Sequence, residues 1–202
     1  MEKYKKLYDQ ATKYIGLLQV ENEIIPFMEY LDKEVKPKTM LEIGLCQGGS
    51  FFLWCKLMEP SSLKLGIDLP NGRWGAPYTR DAFEMAVNKR NIEMFAPNVT
   101  INYGSSTDPA MIEWTNKQLG GNKLDFLFID ADHTYEGVKK DYNNYKDFVR
   151  SGGIIAFHDI KETELHKEKE CNVYKFWQEL EGEKKEFVDM TVGWGGIGVI
   201  TV

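Results

Sequence analysis

The stretch Leu41–Ser50, LEIGLCQGGS, contains the structural unit that the rest of the chain repeats. Apolar residues come first, a turn with glycines follows, and a helical pattern begins near Gly48. Glycine has no Cβ, so Gly44 and Gly48 allow the backbone to turn tightly and to approach a ligand closely. The spacing is ExGxxxG, which is neither GxGxxG nor a P-loop, because no Gly-Lys-Ser/Thr follows. The stretch predicts strand, turn and helix, and the turn is either structural or ligand-binding.

Short apolar runs alternate with helical patterns along the chain, and they predict an α/β fold. The runs are apolar almost throughout, which is typical of parallel strands covered on both faces by helices. Two later segments joined by a glycine-containing turn indicate an antiparallel hairpin. We therefore predict a Rossmann-like three-layer sandwich. The predicted strands are Met40–Gly44, Leu63–Leu69, Val99–Gly104, Leu124–Asp130, Gly152–Asp159, Phe187–Val192 and Gly196–Val202.

Helical spacing predicts N-terminal helices and one helix after most strands. An apolar face runs from Tyr4 to Leu18, and Pro26 marks a break or a new helical start. We expect a single domain over 1–202, in which 1–36 form a helical cap and 37–202 form the core. The helices predicted in the core are Gly48–Leu57, Asp81–Met94, Pro109–Leu119, Thr134–Arg150 and Leu165–Leu180.

The composition describes an ordinary globular protein and argues against some partners. Of the 202 residues 43% are hydrophobic and 28% are charged, and the net charge is −6. The lysines are scattered beside acidic residues, so nothing favours nucleic acid or an anionic membrane as the main partner. The oligomeric state stays open, a homo-oligomer included.

Cysteine use and the start of the chain bear on the compartment. The cysteines are Cys46, Cys55 and Cys171, an odd and sparse set without CxxC spacing, which argues against a disulfide framework or a structural zinc site. The first residues lack an apolar signal core, and no run of about 18 apolar residues occurs. The cytoplasm is the simplest expectation.

Polar residues stand where the predicted strands end, the edge at which α/β sheets bind ligands. Asp68 ends the second strand, where a carboxylate can accept hydrogen bonds from ribose hydroxyls or simply form a turn before Pro70. Ser105 and Ser106 follow the third strand. They could meet a base edge, and Ser106 or Thr107 could equally cap the next helix.

The fourth and fifth strands carry the densest titratable chemistry. Asp130 ends the fourth run, where an unpaired buried carboxylate would be costly. A helix cap explains one polar residue of the turn that follows, but not all of them. If the two strands are neighbours, five side chains converge on one edge, which indicates a site. These are Asp130, Asp132, His133, His158 and Asp159.

Four stretches together resemble the class I S-adenosylmethionine-dependent methyltransferases. They are LEIGLCQGGS, GIDLP, FIDADHTYEGVKKDY and GGIIAFHDI, in this order. More narrowly, they are similar to the small-molecule O-methyltransferases of the macrolide-sugar and cephalosporin-pathway type. The resemblance covers about Gln19 to Val202. It implies a seven-stranded sheet whose last strand is antiparallel, and S-adenosylmethionine as cofactor.

The resemblance also implies roles for the cofactor-binding residues. Gly44 and Gly48 would follow the methionine part, with Glu42 behind them. Asp68 would bind the ribose hydroxyls, and the two serines after the third strand would lie near the adenine. The candidate cofactor-binding residues are Glu42, Gly44, Gly48, Ser50, Asp68, Ser105, Ser106 and Asp130.

In such relatives an aspartate at the Asp130 position and an acidic pair ending strand five hold a divalent metal, and the histidine at the His133 position is the general base in some. This chain departs at His158, because imidazole suits softer metals than Mg²⁺. Either Asp130 and Asp159, with His158 beside them, hold Mg²⁺ or another divalent metal, or the site is metal-free and histidine moves the proton. The catalytic candidates are His133 and Asp130.

The expected activity is methylation of a hydroxyl on a small-molecule acceptor such as a sugar or a polyketide-like compound. A neutral His133, with a pKa near its ordinary value of about 6.5, would accept the hydroxyl proton. The loop Asn71–Arg80 could form a lid over the acceptor. The rivals are a nicotinamide-dependent oxidoreductase, a metal-dependent hydrolase and a non-catalytic protein that only binds the cofactor. The missing middle glycine and the terminal hairpin argue against the first.

Overall fold

The computed structural model describes residues 2–69, 89 and 97–202. The loop Asn71–Arg80 lies outside these residues, and so does the predicted helix Asp81–Met94 apart from Lys89.

The described residues form one seven-stranded sheet in the order β3-β2-β1-β4-β5-β7-β6. The first five strands are parallel, and β7 runs antiparallel to β5 and β6. The α/β fold and the antiparallel last strand are therefore confirmed. The strands are β1 (Thr39–Ile43), β2 (Leu63–Asp68), β3 (Val99–Tyr103), β4 (Leu124–Ile129), β5 (Val149–His158), β6 (Lys184–Phe187) and β7 (Ile197–Thr201).

The chain reverses its direction of travel across the sheet at β1, which pairs with β2 on one side and with β4 on the other. The amide N–H of Gly44 donates to the carbonyl of Ile67, and that of Asp130 donates to the carbonyl of Ile43, both at 2.8 Å. These bonds continue the register of β1, β2 and β4 by one residue beyond the ends of the strands. Such a switch point opens a crevice at the carboxyl ends of the strands.

Two apolar clusters cover the two faces of the sheet and make the fold three-layered. Phe27, Trp54 and Phe126 belong to the cluster under the N-terminal helices, and Val138 and Trp177 belong to the other. The sheet residues of both clusters are almost fully buried. The helices are α1 (Glu2–Tyr14), α2 (Glu21–Tyr30), α3 (Gly49–Leu57), α4 (Pro109–Leu119), α5 (Tyr135–Tyr145), α6 (Glu164–Glu168) and α7 (Val173–Glu179).

Pro26 neither breaks nor begins a helix, because it lies inside α2. The helix continues into a π-helical turn over Leu31–Val35. Phe27 and Met28, directly after the proline, are fully buried. Burial of this face stabilises the helix despite the donor that proline lacks.

Several predicted boundaries are wrong. Helix α5 ends at Tyr145, and a short 3₁₀ turn leads into β5 at Val149, so the predicted helix does not reach Arg150. The predicted helix Leu165–Leu180 is divided into α6 and α7, since the chain turns between them at Glu170, whose φ is +59°.

The sixth strand begins earlier in the chain than predicted. It comprises Lys184–Phe187, not Phe187–Val192. This strand lies at the sheet edge and pairs only with β7 among the described strands, and its charged residues are exposed or half-buried. A charged edge strand carries little hydrophobic signal. Residues 188–196, which follow it, form the loop that covers the crevice.

Candidate active site

A cavity of about 510 Å³ opens at the carboxyl ends of β1 to β5. Its wall combines the turns after these strands with the segment after α1, the start of α5 and the loop 188–196. Among the expected site residues it includes Gly44, Ser50, Asp68, Ser105, Ser106, Asp130, Asp132, His133, His158 and Asp159. Of the others, Glu42 and Gly48 stand behind the wall.

The turn after β1 needs glycine at two positions. Gly44 has a φ of +91°, and a Cβ on it would lie 2.1 Å from the carbonyl oxygen of Asp130. Only hydrogen therefore fits between the turns after β1 and β4. Gly48 has a φ of +88° and precedes α3, and its N–H donates to the carbonyl of Leu45 at 2.6 Å. Gly44 thus brings the turn close to Asp130, whereas Gly48 shapes the start of the helix.

Glu42 acts behind the cavity wall. Its side chain is fully buried in β1, and its Oε1 accepts a hydrogen bond of 2.5 Å from Oγ of Ser50. Burial raises the pKa of Glu42 well above its usual range. A neutral Glu42 can tie α3 to the sheet without an unpaired charge, and Ser50 carries that link to the cavity surface.

Asp68 joins the second strand to the glycine turn. It ends β2, is 7% exposed and lines the cavity. Its Oδ1 accepts from the N–H of Leu45 at 3.3 Å. The carboxylate therefore has a fixed position beside Gly44 at the switch point of the sheet.

The serines after β3 point to an unexpected partner. Oγ of Ser106 donates to Oδ1 of Asp141 at 2.6 Å, and its carbonyl accepts from the hydroxyl of Tyr145 at 2.7 Å. Asp108 rather than Ser106 or Thr107 caps the following helix, since its side chain accepts from the N–H of Ala110.

Asp141 is a site residue that sequence reasoning missed. It lies on α5, is 1% exposed and lines the cavity. Burial raises the pKa of Asp141 to about 7, against the hydrogen bond from Ser106. In the sequence Asp141 stands among lysines and asparagines, which is typical of a solvated helix face. The only available signal is its helical spacing from Val138 and Tyr145.

The polar residues at the ends of β4 and β5 do converge. His133 Nε2 lies 3.3 Å from Oδ1 of Asp130, and its Nδ1 lies 2.9 Å from Oδ2 of Asp159. His158 Nδ1 lies 3.5 Å from Oδ1 of Asp130 and 3.3 Å from Oδ1 of Asp159. We call these four residues the Asp/His cluster.

Asp132, the fifth expected member, has a different position. Oγ1 of Thr134 caps α5 by accepting from the N–H of Gly137 at 3.0 Å. Oδ1 of Asp132 accepts from the N–H of Thr134 at 2.9 Å. Capping therefore accounts for Asp132 and Thr134, which leaves Asp130 and His133 to the cluster.

Two further residues extend the Asp/His cluster, and sequence reasoning missed both. His166 Nε2 lies 3.2 Å from Oδ1 of Asp159, and Sγ of Cys171 lies 3.8 Å from Nδ1 of His133. All three histidines of the chain thus meet around Asp159. Neither residue follows a predicted strand, so nothing local indicates a role. The low histidine count is the only hint.

The electrostatics of the cluster differ from expectation. Burial lowers the pKa of His133, but hydrogen bonds to Asp130 and Asp159 outweigh it and raise the pKa well above its usual value. The pKa of His158 is also raised well above its usual value, against burial, by the charges of the same carboxylates. Both aspartates have lowered pKa values despite burial, with His158 as the largest favourable influence. The expected pKa near the ordinary value is therefore wrong for His133.

The donor atoms also suit a divalent cation. Asp130, His158 and Asp159, the predicted ligands, offer atoms that all lie within 4.8 Å of one another. His133, Asp159 and Cys171 form a second such group. Oxygen and imidazole donors together fit first-row transition metals better than Mg²⁺, which prefers oxygen ligands alone.

The N-terminal segment and the loop 188–196 cover the cluster. Nε2 of Gln19 donates to Oδ2 of Asp130 at 3.0 Å, and the ring of Trp194 packs edge-on against His158 at 6.2 Å between centroids. The loop folds around Lys161, whose ammonium donates to the carbonyls of Asp189, Val192 and Trp194.

Buried Glu23 of α2 holds the same loop from the other side. Its carboxylate accepts from the N–H groups of Asp189 at 2.9 Å and Gly196 at 2.7 Å. The N-terminal helices therefore help to fix Trp194 over the site.

Within the described residues, every helix is too short or too polar to cross a bilayer.

Comparison with known proteins identifies relatives of this arrangement. Residues 41–160 match the family model described as a methyltransferase domain, which is more than half of the chain. A protein of Acanthamoeba polyphaga mimivirus is 31% identical over 128 residues, covering 61% of this chain and 52% of that protein. A Sinorhizobium fredii protein is 24% identical over 161 residues, covering 77% and 16%. The chain thus spans about half the length of one and about a sixth of the other.

Solved structures share the fold at low sequence identity. The O-methyltransferase TomG of Streptomyces achromogenes, in complex with S-adenosylmethionine, is 16% identical with a TM-score of 0.61, covering 100% of this chain and 90% of that one. The Podospora anserina methyltransferase PaMTH1, bound to S-adenosylhomocysteine, is 13% identical with a TM-score of 0.61, covering 100% and 88%. An O-methyltransferase of Bacillus cereus is 15% identical with a TM-score of 0.58, and the match covers 100% of this chain and 90% of that one.

The family match spans the turn after β1, Asp68, the serines after β3 and the ends of β4 and β5, which are the elements that build the cavity. The chain belongs to the methyltransferase domain family and has the class I S-adenosylmethionine-dependent methyltransferase fold.

Proposed function

We propose that this protein transfers a methyl group from S-adenosylmethionine to a hydroxyl oxygen of a small molecule. The observation that carries the proposal is the position of the Asp/His cluster. Asp130 forms part of the cofactor crevice through its contact with Gly44, and it also touches His133. A proton-accepting group therefore lies next to the place where a cofactor methyl would be presented.

The cofactor would lie across the carboxyl ends of β1 to β3. Asp68 would accept hydrogen bonds from the ribose hydroxyls, and the turn at Gly44, which lines the cavity, would follow the methionine part. Ser105, Ser106 and Asp141 form the far wall of the cavity, where the adenine would lie. This orientation leaves Asp130 and His133 for the sulfonium end and the acceptor.

The chemistry asks mainly for alignment and for a proton acceptor. The acceptor oxygen forms a bond to the methyl carbon while the carbon–sulfur bond breaks, which leaves S-adenosylhomocysteine. In neutral His133, an Nδ1–H that donates to Asp159 would fix the tautomer, and Nε2, which lies 3.3 Å from Oδ1 of Asp130, would accept the hydroxyl proton. Because both carboxylates favour the imidazolium, His133 must lose a proton before it can act as a base. Asp159 would therefore orient the ring but lower the fraction of His133 that is neutral.

A divalent cation offers a second variant of the mechanism. Asp130, His158 and Asp159 are the residues that would hold it, and it would lower the pKa of the acceptor hydroxyl. In the metal-free variant the histidines alone manage the proton. The proposal of O-methylation covers both variants, and acceptor turnover with and without chelator separates them.

The surroundings of the cluster favour an acceptor with an apolar body. Leu18 and Leu69 line the cavity and are about half exposed, at 50% and 47%. Trp194 adds an aromatic wall beside His158. A hydroxylated sugar derivative or polyketide-like compound could place its ring against these side chains and its hydroxyl at the cluster. Neither nucleic acid nor membrane is needed as a partner.

Calorimetry tests the cofactor part of the proposal. S-adenosylmethionine and S-adenosylhomocysteine should bind with one site per chain, and NADH should not bind. A panel of hydroxylated sugars and polyketides, incubated with methyl-deuterated cofactor and read by mass spectrometry, then tests transfer. Failure to bind either cofactor form would overturn the proposal. Binding without transfer to any acceptor would favour the rival, a protein that only binds the cofactor.

A further inference from the structure

We propose that His133, Asp159 and Cys171 form a binding site for a borderline-soft first-row transition metal ion, with Zn²⁺ as the best match. This site is distinct from the oxygen-rich group Asp130, His158 and Asp159, although the two share Asp159. Cys171 distinguishes them, since a sulfur ligand selects zinc-class metals and excludes Mg²⁺. The proposal does not depend on methyl transfer, and a bound ion would take the place of the proton between Nδ1 of His133 and Asp159.

The spacing of the three donors fits a tetrahedral ion. With metal–nitrogen and metal–oxygen bonds of about 2.0 Å and a metal–sulfur bond of about 2.3 Å, ligands stand roughly 3.3 to 3.6 Å apart. Nδ1 of His133 lies 2.9 Å from Oδ2 of Asp159 and 3.8 Å from Sγ of Cys171. These two spacings are within a few tenths of an ångström of the tetrahedral values, and all three donor atoms lie within 4.8 Å of one another.

The burial pattern leaves one coordination position open. Cys171 is 3% exposed and Asp159 is 5% exposed, while the His133 side chain keeps 18% of its surface on the cavity. Three protein ligands with a fourth position facing a cavity are the arrangement of catalytic or exchangeable zinc rather than of structural zinc.

The donors are held from behind by backbone bonds. The N–H of Cys171 donates to the carbonyl of His166 at 2.8 Å, and the N–H of Asn172 donates to the carbonyl of His133 at 2.7 Å. Nδ1 of His166 lies 2.7 Å from the carbonyl of Lys161, which orients its ring towards Asp159. In metal sites, contacts of this kind orient the side chains that bind the ion.

Oδ1 of Asp159 gives an independent sign that the cluster can accept a further ligand. This oxygen is buried and makes no hydrogen bond to any residue that the structure describes. Nitrogens of His158 and His166 lie 3.3 and 3.2 Å away, without hydrogen-bond geometry. The backbone φ of Asp159 is +61°, an uncommon conformation that directs the carboxylate into the cluster. A buried anionic oxygen of this kind is well placed to support a bound cation.

Cobalt spectroscopy of the full chain gives a direct test. The chelator-treated protein is titrated with Co²⁺, and its near-ultraviolet and visible absorbance is recorded. A thiolate-to-cobalt charge-transfer band should saturate at one ion per chain, and Zn²⁺ but not Mg²⁺ should abolish it. Cys171→Ser should lose the band and bind Zn²⁺ at least about 100-fold more weakly, by comparison with losses at supporting residues.

Two variants serve as controls. Cys46→Ser should keep the band, because Cys46 lines the cavity but belongs to neither donor group. Asp130→Ala should also keep it, because Asp130 belongs to the oxygen-rich group alone. Absence of the band in the wild-type protein, or its persistence in Cys171→Ser, would overturn the proposal.

A folding defect in Cys171→Ser would show in circular dichroism, and His133→Gln then replaces it. This second variant should keep sulfur ligation but bind Co²⁺ and Zn²⁺ more weakly by a similar factor. Unchanged zinc affinity in both variants would refute the site. Calorimetry with S-adenosylhomocysteine on the same samples reports on the cofactor crevice separately.

Discussion

Nδ1 of His133 lies 2.9 Å from Oδ2 of Asp159, and this contact joins the turn after β4 to the turn after β5. It follows from the pairing register, in which Ile129 stands opposite Phe157. The next residues, Asp130 directly after β4 and His158 at the end of β5, therefore lie side by side. One turn further on, His133 meets Asp159.

Replacing the proposed base should reduce turnover with little effect on binding. We expect His133→Gln to lower kcat by about 10² to 10⁴-fold, the usual contribution of general base catalysis, since glutamine keeps hydrogen-bonding capacity but cannot take the proton. Steady-state kinetics measure kcat, and calorimetry should show S-adenosylhomocysteine affinity within a few-fold of the wild type. Near-normal turnover would remove His133 from the base role.

Turnover should rise with pH above the ordinary range of histidine. Asp130 and Asp159 raise the pKa of His133 well above its usual value, so the base is protonated and inactive at lower pH. The acid limb of the kcat profile should therefore lie above pH 6.5, the ordinary pKa of histidine. The residual activity of His133→Gln should lack this acid limb. A limb below pH 6.5 would contradict the assigned ionisation.

Asp68 should control affinity for the cofactor. A hydrogen bond to a charged group contributes about 1.5 to 3 kcal/mol, so Asp68→Asn should weaken S-adenosylhomocysteine binding by roughly 10- to 100-fold. Asp147→Asn is a control, because Asp147 is exposed in the 3₁₀ turn after α5. Equal affinities for the two variants would mean that Asp68 only shapes the turn.

Asp141 should make stability fall with rising pH. Burial raises its pKa to about 7 from an ordinary value of 3.8, so between these values the folded chain retains a proton that the unfolded chain has lost. Stability from this group is present below pH 4 and declines as pH approaches 7. Asp141→Asn removes the penalty. We expect it to gain on the order of 1 to 4 kcal/mol relative to the wild type between pH 4 and pH 8.

Urea unfolding of both proteins at several pH values measures this difference. Taking the difference cancels the other titrating groups, which the two proteins share. A constant difference across the pH range would show that Asp141 is not titrating in this way.

Alanine substitutions at Gly44 and Gly121 should distinguish the effect of a steric clash from that of backbone strain. Both have a positive φ, +91° and +88°, but a Cβ on Gly121 would meet nothing within 4 Å among the described residues. Gly121→Ala should therefore cost only about 1 to 2 kcal/mol, the strain of the left-handed conformation. Gly44→Ala should cost more and also weaken cofactor binding, because its Cβ would displace Asp130. Equal effects in urea unfolding would refute the close approach.

The sequence predicts which polar residues stand at the strand ends, because a strand end is a local feature of the chain. An apolar run predicts a buried strand, and a following Asp or Gly predicts its end, so the pattern alone places Asp68, Asp130 and His158. Strands without such a pattern escape prediction. The sixth strand, KKEF, lies at an edge and has no apolar run, so the prediction falls on the more apolar Phe187–Val192 instead.

The site residues that sequence reasoning missed share a different property. Asp141, His166 and Cys171 lie on or beside helices, and each acquires its role only through a contact with a distant segment. Cys171 lacks a second cysteine nearby, so its spacing argues against a metal ligand. Its partners, His133 and Asp159, come from two strand ends instead.

The sequence by itself determined the alternation of strands and helices, the glycine turn and the carboxylates at the crevice, since periodicity along the chain records which side of each element is buried. Only the tertiary structure decided how the imidazoles, carboxylates and thiol combine, because burial and charge pairing depend on packing between segments far apart in the chain. The pKa of His133 shows the difference. Its residue type suggests a neutral base, and two carboxylates at the ends of neighbouring strands make the protonated form the favoured one.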